Sequence, residues 1–314
     1  MESQHQMLGA KETMLNYRAN GKLLLTSEYA VTQGAKGLAI PTTKGQSLQI
    51  DAETSGKYIV WNSQAHDGTS WFSARLMPGT LQILESTDPD VAYGLVKNLQ
   101  VVLKNTDLLE YPNSFTTQLE FPNEWGLGSS STFTSLLAQC AGVDALQHFR
   151  TVHGGSGYDL ACATADGPII YQLQYETSNV SPAKIDFDFI DDLGFVYLGN
   201  KQLTSESLNL VRRKPFSAGQ LEIFDGLTDA FLNASNVDDL ERVIEEHENI
   251  LSEHLGLPKV KEERFDFYPG AVKSLGGWGG DFALVTRFAS SKKYLTDNGY
   301  KIIFPFKSLG QFRR

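Results

Sequence analysis

Pro122-Asn123-Glu124-Trp125-Gly126-Leu127-Gly128-Ser129-Ser130-Ser131 is the stretch on which the reading of this chain turns. Before it, Phe115 to Phe121 alternates apolar and polar residues, the period of a strand. After it, Thr132 to Val143 is rich in Leu and Ala at helical spacing. The segment therefore predicts a strand, a glycine loop and a helix start. A helix start carries unpaired N–H groups and the positive end of the helix dipole, so it favours anions. Glycines let a backbone come close to a phosphate, and serine hydroxyls add donors and oxygen ligands for a hard cation such as Mg²⁺. The plainer alternative is a Ser-capped helix after a tight turn. The loop is neither G-x-x-x-x-G-K-[ST] nor G-x-G-x-x-G, and Ser129 to Ser131 form no G-x-S-x-G elbow.

Working outward, Val91 to Leu103 has the apolar spacing of a helix. Towards the N-terminus the text is β-rich. Leu23 to Ile40 reads as two strands around a turn at Gln33-Gly34, and Ser47 to Ile50 and Tyr58 to Trp61 read as short strands. Gly56-Lys57 and Asp67-Gly68 mark turns. On the other side, strands are expected at Ile169 to Tyr175, Phe195 to Leu198 and Ile302 to Phe306, and helices at Leu221 to Phe231 and Val237 to Leu255. The last helix is strongly charged, so His247, Glu248 and His254 are expected on its surface. Interleaved helices and antiparallel hairpins give an α+β fold. A composition switch near 180–195 places the expected domain boundary between 1–185 and 186–314, and the first ten residues read as a frayed tail.

The balance of the 314 residues bounds the function. With 27 Lys+Arg against 37 Asp+Glu the net charge is −10, which argues against a general binder of nucleic acid or anionic membrane. Hydrophobic residues make up 41% of the chain, enough for a large core and incompatible with general disorder. Two cysteines, Cys140 and Cys162, suit a reduced compartment better than a disulfide scaffold or a structural zinc site. The polar N-terminus has no apolar signal region and no run of 18 apolar residues occurs, so a cytoplasmic protein is expected.

Three further motifs bear on chemistry. Gly154 to Asp159 presents a carboxylate after a glycine turn, placed to orient a hydroxyl or take its proton, or merely to cap the short helix that follows. Gly276-Gly277-Trp278-Gly279-Gly280-Asp281 marks backbone brought close to a strand or a ligand. Asn20-Gly21-Lys22 opens a strand with a lysine.

In this order, the motifs resemble those of the GHMP kinases, a superfamily that includes galactokinase, homoserine kinase, mevalonate kinase and phosphomevalonate kinase. Lys22 in Gly21-Lys22-Leu23-Leu24-Leu25-Thr26-Ser27-Glu28-Tyr29-Ala30-Val31 resembles the first motif, and Gly126 to Ser131 the phosphate loop. Gly157-Tyr158-Asp159-Leu160-Ala161 resembles the catalytic-Asp motif, and Gly276 to Asp281 the glycine-rich third motif. The wording is most similar to phosphomevalonate kinase, then mevalonate kinase. The resemblance implies two α+β lobes, ribosomal-S5-like and ferredoxin-like, and ATP- and Mg²⁺-dependent phosphoryl transfer to a mevalonate-type acceptor. It implies catalytic roles for Asp159 and Lys22, and nucleotide binding by Gly126, Leu127, Gly128, Ser129, Ser130 and Ser131, with Ser130 also on the metal. Glu28, Tyr158, Gly276, Gly277, Gly279 and Gly280 would face substrate. A small-molecule acceptor is the implied partner; homodimerisation stays open.

The chain departs from the family pattern in four places. Glu124 stands where the loop's first glycine is expected, Trp278 replaces a glycine of the third motif, Asn20 replaces a proline, and His148 stands at the position of an acidic metal ligand. Two other readings therefore stay open: a GHMP-fold metabolite-binding or regulatory protein with weak catalysis, and an enzyme like diphosphomevalonate decarboxylase. Arg18, Lys184, Lys201 and Lys273 are candidate holders of a substrate anion.

Overall fold

The computed structural model describes residues 14–52, 56–102, 106–146, 156–174, 177–199, 214–278 and 280–312. They divide into two compact units. The first takes in Met1–Ala19, Gly45–Pro122 and Ser129–Gly154, and the second Asn20–Lys44, Asn123–Gly128 and Gly155–Arg314.

In the first unit the second half of β2 (Gly37–Ala52) pairs antiparallel with β6 (Asn113–Leu119), with Ile50 opposite Phe115. β6 runs parallel to β3 (Ile59–Gln64), which pairs antiparallel with β4 (Ser70–Leu76), and β4 pairs antiparallel with β5 (Ile83–Ser86). Parallel neighbours need a crossover, and α1 (Pro89–Val102) lies in the one that separates β3 from β6. Every second residue of β6 is buried, so one face of the sheet forms the core. Trp61 stacks on Phe115 at 5.2 Å and meets the edge of Phe133 from α2 (Ser129–Ala141). The helix begins three residues earlier than its apolar pattern indicates, because Gly126 (φ 66°) and Gly128 (φ 91°) turn the chain before Ser129.

In the second unit the start of β2 pairs with β7 (Ile169–Gln174), which pairs with β8 (Thr177–Pro182). Leu24, Val31, Ala39, Cys162, Ile169 and Tyr171 pack together there. β1 (Met14–Leu24) delivers Leu24 to this cluster, and α3 (Tyr158–Ala163) delivers Cys162. The remaining strands make a four-stranded antiparallel sheet of order β10 (Val272–Leu275), β11 (Phe282–Val285), β9 (Gly194–Tyr197) and β12 (Ile303–Pro305). Two long helices belong to the same unit, α4 (Ala218–Leu232) and α5 (Val237–Leu255). A capping box of Ser217 and Gln220 starts α4, and the Asn236 side chain starts α5 by accepting from Asp239 N. Gly256, at φ 66°, ends α5.

The placement of α5 corrects one expectation. His247, Glu248 and His254 are buried at 1%, 1% and 7% exposure, not on the surface. They share a stripe with Leu240, Ile244, Leu251 and Leu255, and each has one polar atom hydrogen-bonded inside the fold. His254 Nε2 lies 2.8 Å from Lys214 O, and its ring stacks on Phe216. β10 and α6 (Phe288–Asp297) are elements that the spacing of apolar residues leaves unread.

Candidate active site

Lys22 lies near the end of β1, where two hydrogen bonds tie it to the glycine loop. Its backbone N donates to Leu127 O at 3.0 Å, and its Nζ donates to Gly126 O at 2.9 Å. The approach needs glycine at position 21. A Cβ there would sit 2.5 Å from Thr42 Oγ1, 2.9 Å from Lys44 O and 3.0 Å from Leu127 O. Around the ammonium stand Tyr158, whose ring centroid is 5.7 Å away, and the carboxylates of Asp281 and Asp159. Burial works against the positive charge, but the attraction of these three groups outweighs it and holds Lys22 above the ordinary lysine range. Burial likewise pushes the Tyr158 phenol up to about 12, with Lys22 pulling the other way.

Asp159 occupies the first turn of α3, whose N-cap is Gly157 in the left-handed conformation at φ 88°. It therefore does not cap the helix; its Oδ1 accepts from Leu160 N at 3.1 Å. Asp281 is a member of the site that the motif reading passed over as the end of a glycine run. Its carboxylate is wedged between two turns. A Cβ built on Gly126 would overlap the Asp281 carboxylate, and one on Gly276 would lie 2.6 Å from its Oδ2. Both glycines also have positive φ, 66° and 77°. The second unit thus brings Lys22, Gly126, Leu127, Tyr158, Asp159, Gly276 and Asp281 together.

Gly126→Ala should accordingly cost more than a positive φ alone. Gly68, at φ 82° with nothing within 4 Å of a built Cβ, supplies the comparison. A methyl at Gly68 should cost about 1–2 kcal/mol, and one at Gly126 at least about 1 kcal/mol beyond that because Asp281 must shift. Equal losses in denaturant unfolding would refute the wedge.

The other expected residues are placed as follows. Gly128 closes the loop segment of the second unit, and Ser129, Ser130 and Ser131 begin α2 in the first, Ser130 exposed and Ser131 buried. Gly277 accepts from Gly280 N within the third turn. Gly279, His148 and Lys201 lie outside the described residues. The two tryptophans pack into apolar surroundings. Trp125 is buried against Tyr197, Phe282 and Phe304. Trp278 belongs to a cluster with Phe216, Phe224 and Leu251; its N donates to Tyr29 Oη at 2.7 Å and its Nε1 to Pro258 O at 3.0 Å. Glu124 is exposed. Asn20 donates to Ala165 O at 3.0 Å. Of the candidate anion holders, Arg18 pairs with Glu120 and Lys184 with Asp186.

Glu28 and Lys273 meet each other inside the second unit. Both are buried, and Lys273 Nζ donates to Glu28 Oε2 at 2.5 Å. Glu248 Oε1 is 3.5 Å from the same ammonium, and His247 Nε2 is 3.4 Å from Glu28 Oε2. Because Ser27 N donates to His247 Nε2 at 2.8 Å, the neutral ring carries its proton on Nδ1, 3.7 Å from Glu248 Oε1. Burial, reinforced by Glu28 and opposed by Lys273, pushes Glu248 up to about 7. Burial also raises Glu28, while burial and then Lys273 drive His247 well below the usual histidine range. One lysine thus serves two enclosed carboxyl groups.

Among the described residues no helix is long and apolar enough to cross a membrane. No family model matches the sequence, and no curated protein sequence does either. Solved structures do match over nearly the full length. Lactococcus lactis galactokinase complexed with galactose superposes with a TM-score of 0.68 at 12% identity, over 97% of this chain and 95% of that one. Streptococcus pneumoniae phosphomevalonate kinase in complex with phosphomevalonate and AMPPNP gives 0.66 at 17% identity, over 92% and 99%. Methanococcus jannaschii mevalonate kinase gives 0.64 at 16% identity, over 94% and 97%. On this likeness, and on a mixed α+β architecture, the chain has the GHMP kinase fold.

Proposed function

We propose that the chain is an ATP- and Mg²⁺-dependent small-molecule kinase that transfers the γ-phosphoryl group to a mevalonate-type acceptor, phosphomevalonate or mevalonate. The observation that carries this reading is the pair of bonds from Lys22 to the glycine loop, with Asp159 and Asp281 beside the same ammonium. Similarity to kinases solved with sugar, phosphomevalonate and a nucleotide analogue supports it.

The residues present suit the implied cofactors. Two positive-φ glycines carry no side chain of their own over the loop backbone, and Asp159 and Asp281 offer the hard oxygens that Mg²⁺ prefers. Bound Mg²⁺·ATP would supply the transferable phosphoryl group and neutralise part of its charge. The protein's own share is positioning and electrostatics. Asp159 orients the acceptor oxygen and, where that oxygen carries a proton, accepts it. As the acceptor oxygen bonds to the γ-phosphorus, the bond to the β,γ-bridging oxygen breaks and ADP leaves. Lys22, held charged, stabilises the negative charge that spreads over the transferring group.

The test is an ADP-release screen with Mg²⁺·ATP across mevalonate, phosphomevalonate, homoserine and sugars. Turnover with one acceptor is expected. No turnover across the panel, with no thermal shift at millimolar Mg²⁺·ATP, would favour the metabolite-binding reading instead.

A further inference from the structure

The enclosed charges of Glu28, Lys273, Glu248 and His247 are not among the groups that would touch nucleotide or acceptor in the reading above. They come from three elements. Glu28 follows β1 by four residues, Lys273 lies on β10, and His247 and Glu248 lie on α5. Each contact reaches a part of the site. Lys273 binds Glu28, six residues beyond Lys22, and Glu28 also feels the Lys22 ammonium. Glu248 Oε2 accepts from Ser274 N at 3.1 Å, two residues before Gly276. Tyr29, next to Glu28, accepts from Trp278 N inside the third turn. That turn ends at Asp281, whose carboxylate meets Gly126. The backbone at Ser27 and Tyr29 has positive φ, 65° and 63°, a conformation that persists only when its surroundings enforce it.

We infer that Lys273 and Glu248 are positioning residues: with Glu28 and His247 they clamp the first motif to the strand that launches the third turn, and through Asp281 they set the loop at Gly126. A cluster kept only for stability is a poor design, since such charges can often be replaced by apolar groups without loss. Glu28 Oε1, His247 Nδ1 and Glu248 Oε1 are also left without hydrogen-bond partners. What the charges add is direction, because a buried ammonium tolerates only one arrangement of its carboxylates. The kinetic part of this inference rests on the kinase reading; the structural part does not.

The groups facing Glu248 are Lys273, Glu28 and His247, and they fix the pH signature. A carboxyl raised to about 7 from 4.5 stabilises the fold fully below pH 4.5 and loses that contribution as pH climbs to 7. Glu28, also raised, has the same sign. His247, lowered from 6.5, has the opposite sign and costs stability only as pH falls below 6.5. Stability from this cluster should therefore fall as pH rises from 6.5 through about 7, and Glu248→Gln should flatten that fall.

The deciding experiment measures amide exchange and kinetics on three variants, Lys273→Met, Lys273→Arg and Glu248→Gln. Lys273→Met strands two carboxyl groups, so the uncharged triple variant Glu28→Gln, Lys273→Met, Glu248→Gln stands in for it if it does not fold. Exchange is expected to speed up at residues 123–128 as well as near 272–278, and Lys273→Arg should restore part of the protection. Where ATP is turned over, kcat/KM for ATP should drop by ~10–100-fold through displaced groups, with the fold intact by circular dichroism. Folded variants with unchanged exchange at 123–128 overturn the inference. A wild-type protein that binds no Mg²⁺·AMPPNP refutes the kinase reading, and exchange alone then decides for or against the clamp.

Discussion

Asp159→Asn should leave a folded protein whose turnover depends on what the acceptor is. The amide keeps an oxygen where Oδ1 accepts from Leu160 N, so the first turn of α3 should persist. What the variant lacks is a base. If the acceptor is a hydroxyl, its proton must leave during attack, and kcat should fall by ~10²–10⁴. If it is a phosphate monoester, with a second pKa near 6, the attacking oxygen is already ionised near neutral pH. Loss of kcat should then stay nearer ~10-fold, the share due to orientation. Comparing Asp159→Asn with Asp159→Ala separates the roles. Equal losses mark a base, whereas a residual rate confined to Asn marks an orienting acceptor. Steady-state kinetics with saturating Mg²⁺·ATP measure both, and a wild-type rate in Asp159→Ala would remove Asp159 from the chemistry.

Lys22→Met is the second large effect. It removes the ammonium from between Asp159, Asp281 and the Tyr158 ring, and takes away the donor to Gly126 O. Losing one preorganised charge aimed at the transferring group should cost ~10²–10³ in kcat. Two like charges lose their common counter-ion, so nucleotide affinity should weaken as well. Lys22→Arg should recover little, because a planar fork cannot replace a compact ammonium that reaches one carbonyl. The raised proton affinity of Lys22 also gives a pH prediction: no alkaline limb from this group should appear in the wild-type rate below about pH 10, its ordinary range. A Lys22→Met variant with unchanged kcat and nucleotide affinity would place the site elsewhere.

The strand–loop–helix around Gly126 was readable from sequence because glycine punctuation and the switch from period two to period 3.6 are local signals. So were both ends of α5, set by Asn236 and Gly256. The inward face of α5 was readable in principle and still missed. Leu240, Ile244, His247, Leu251 and His254 recur at spacings of three and four, the period of a buried stripe. Treating histidine as polar hid the pattern, since the group that lets the neutral His247 ring go inside, the Ser27 N–H that donates to its Nε2, lies 220 positions away in sequence. Asp281 was obscure for a related reason. Its role comes from what it touches, Gly126 and Gly276, and no local spacing encodes a pairing across 155 positions (281 − 126). Trp278 broke a glycine pattern and Trp125 follows the Glu124 that broke another, but only the aromatic and apolar neighbours around each ring show that it is a packing group.

The wedge of Asp281 between two side-chain-free turns has a hereditary consequence. Positions 126, 276 and 281 share one small volume, so a mutation at any of them changes what the other two can tolerate. A lineage that enlarged one turn would have to shorten the acid first, or pass through a clashing intermediate. These three sites should therefore drift as a linked set, and transplanting one of them from a distant relative should fail unless the other two travel with it.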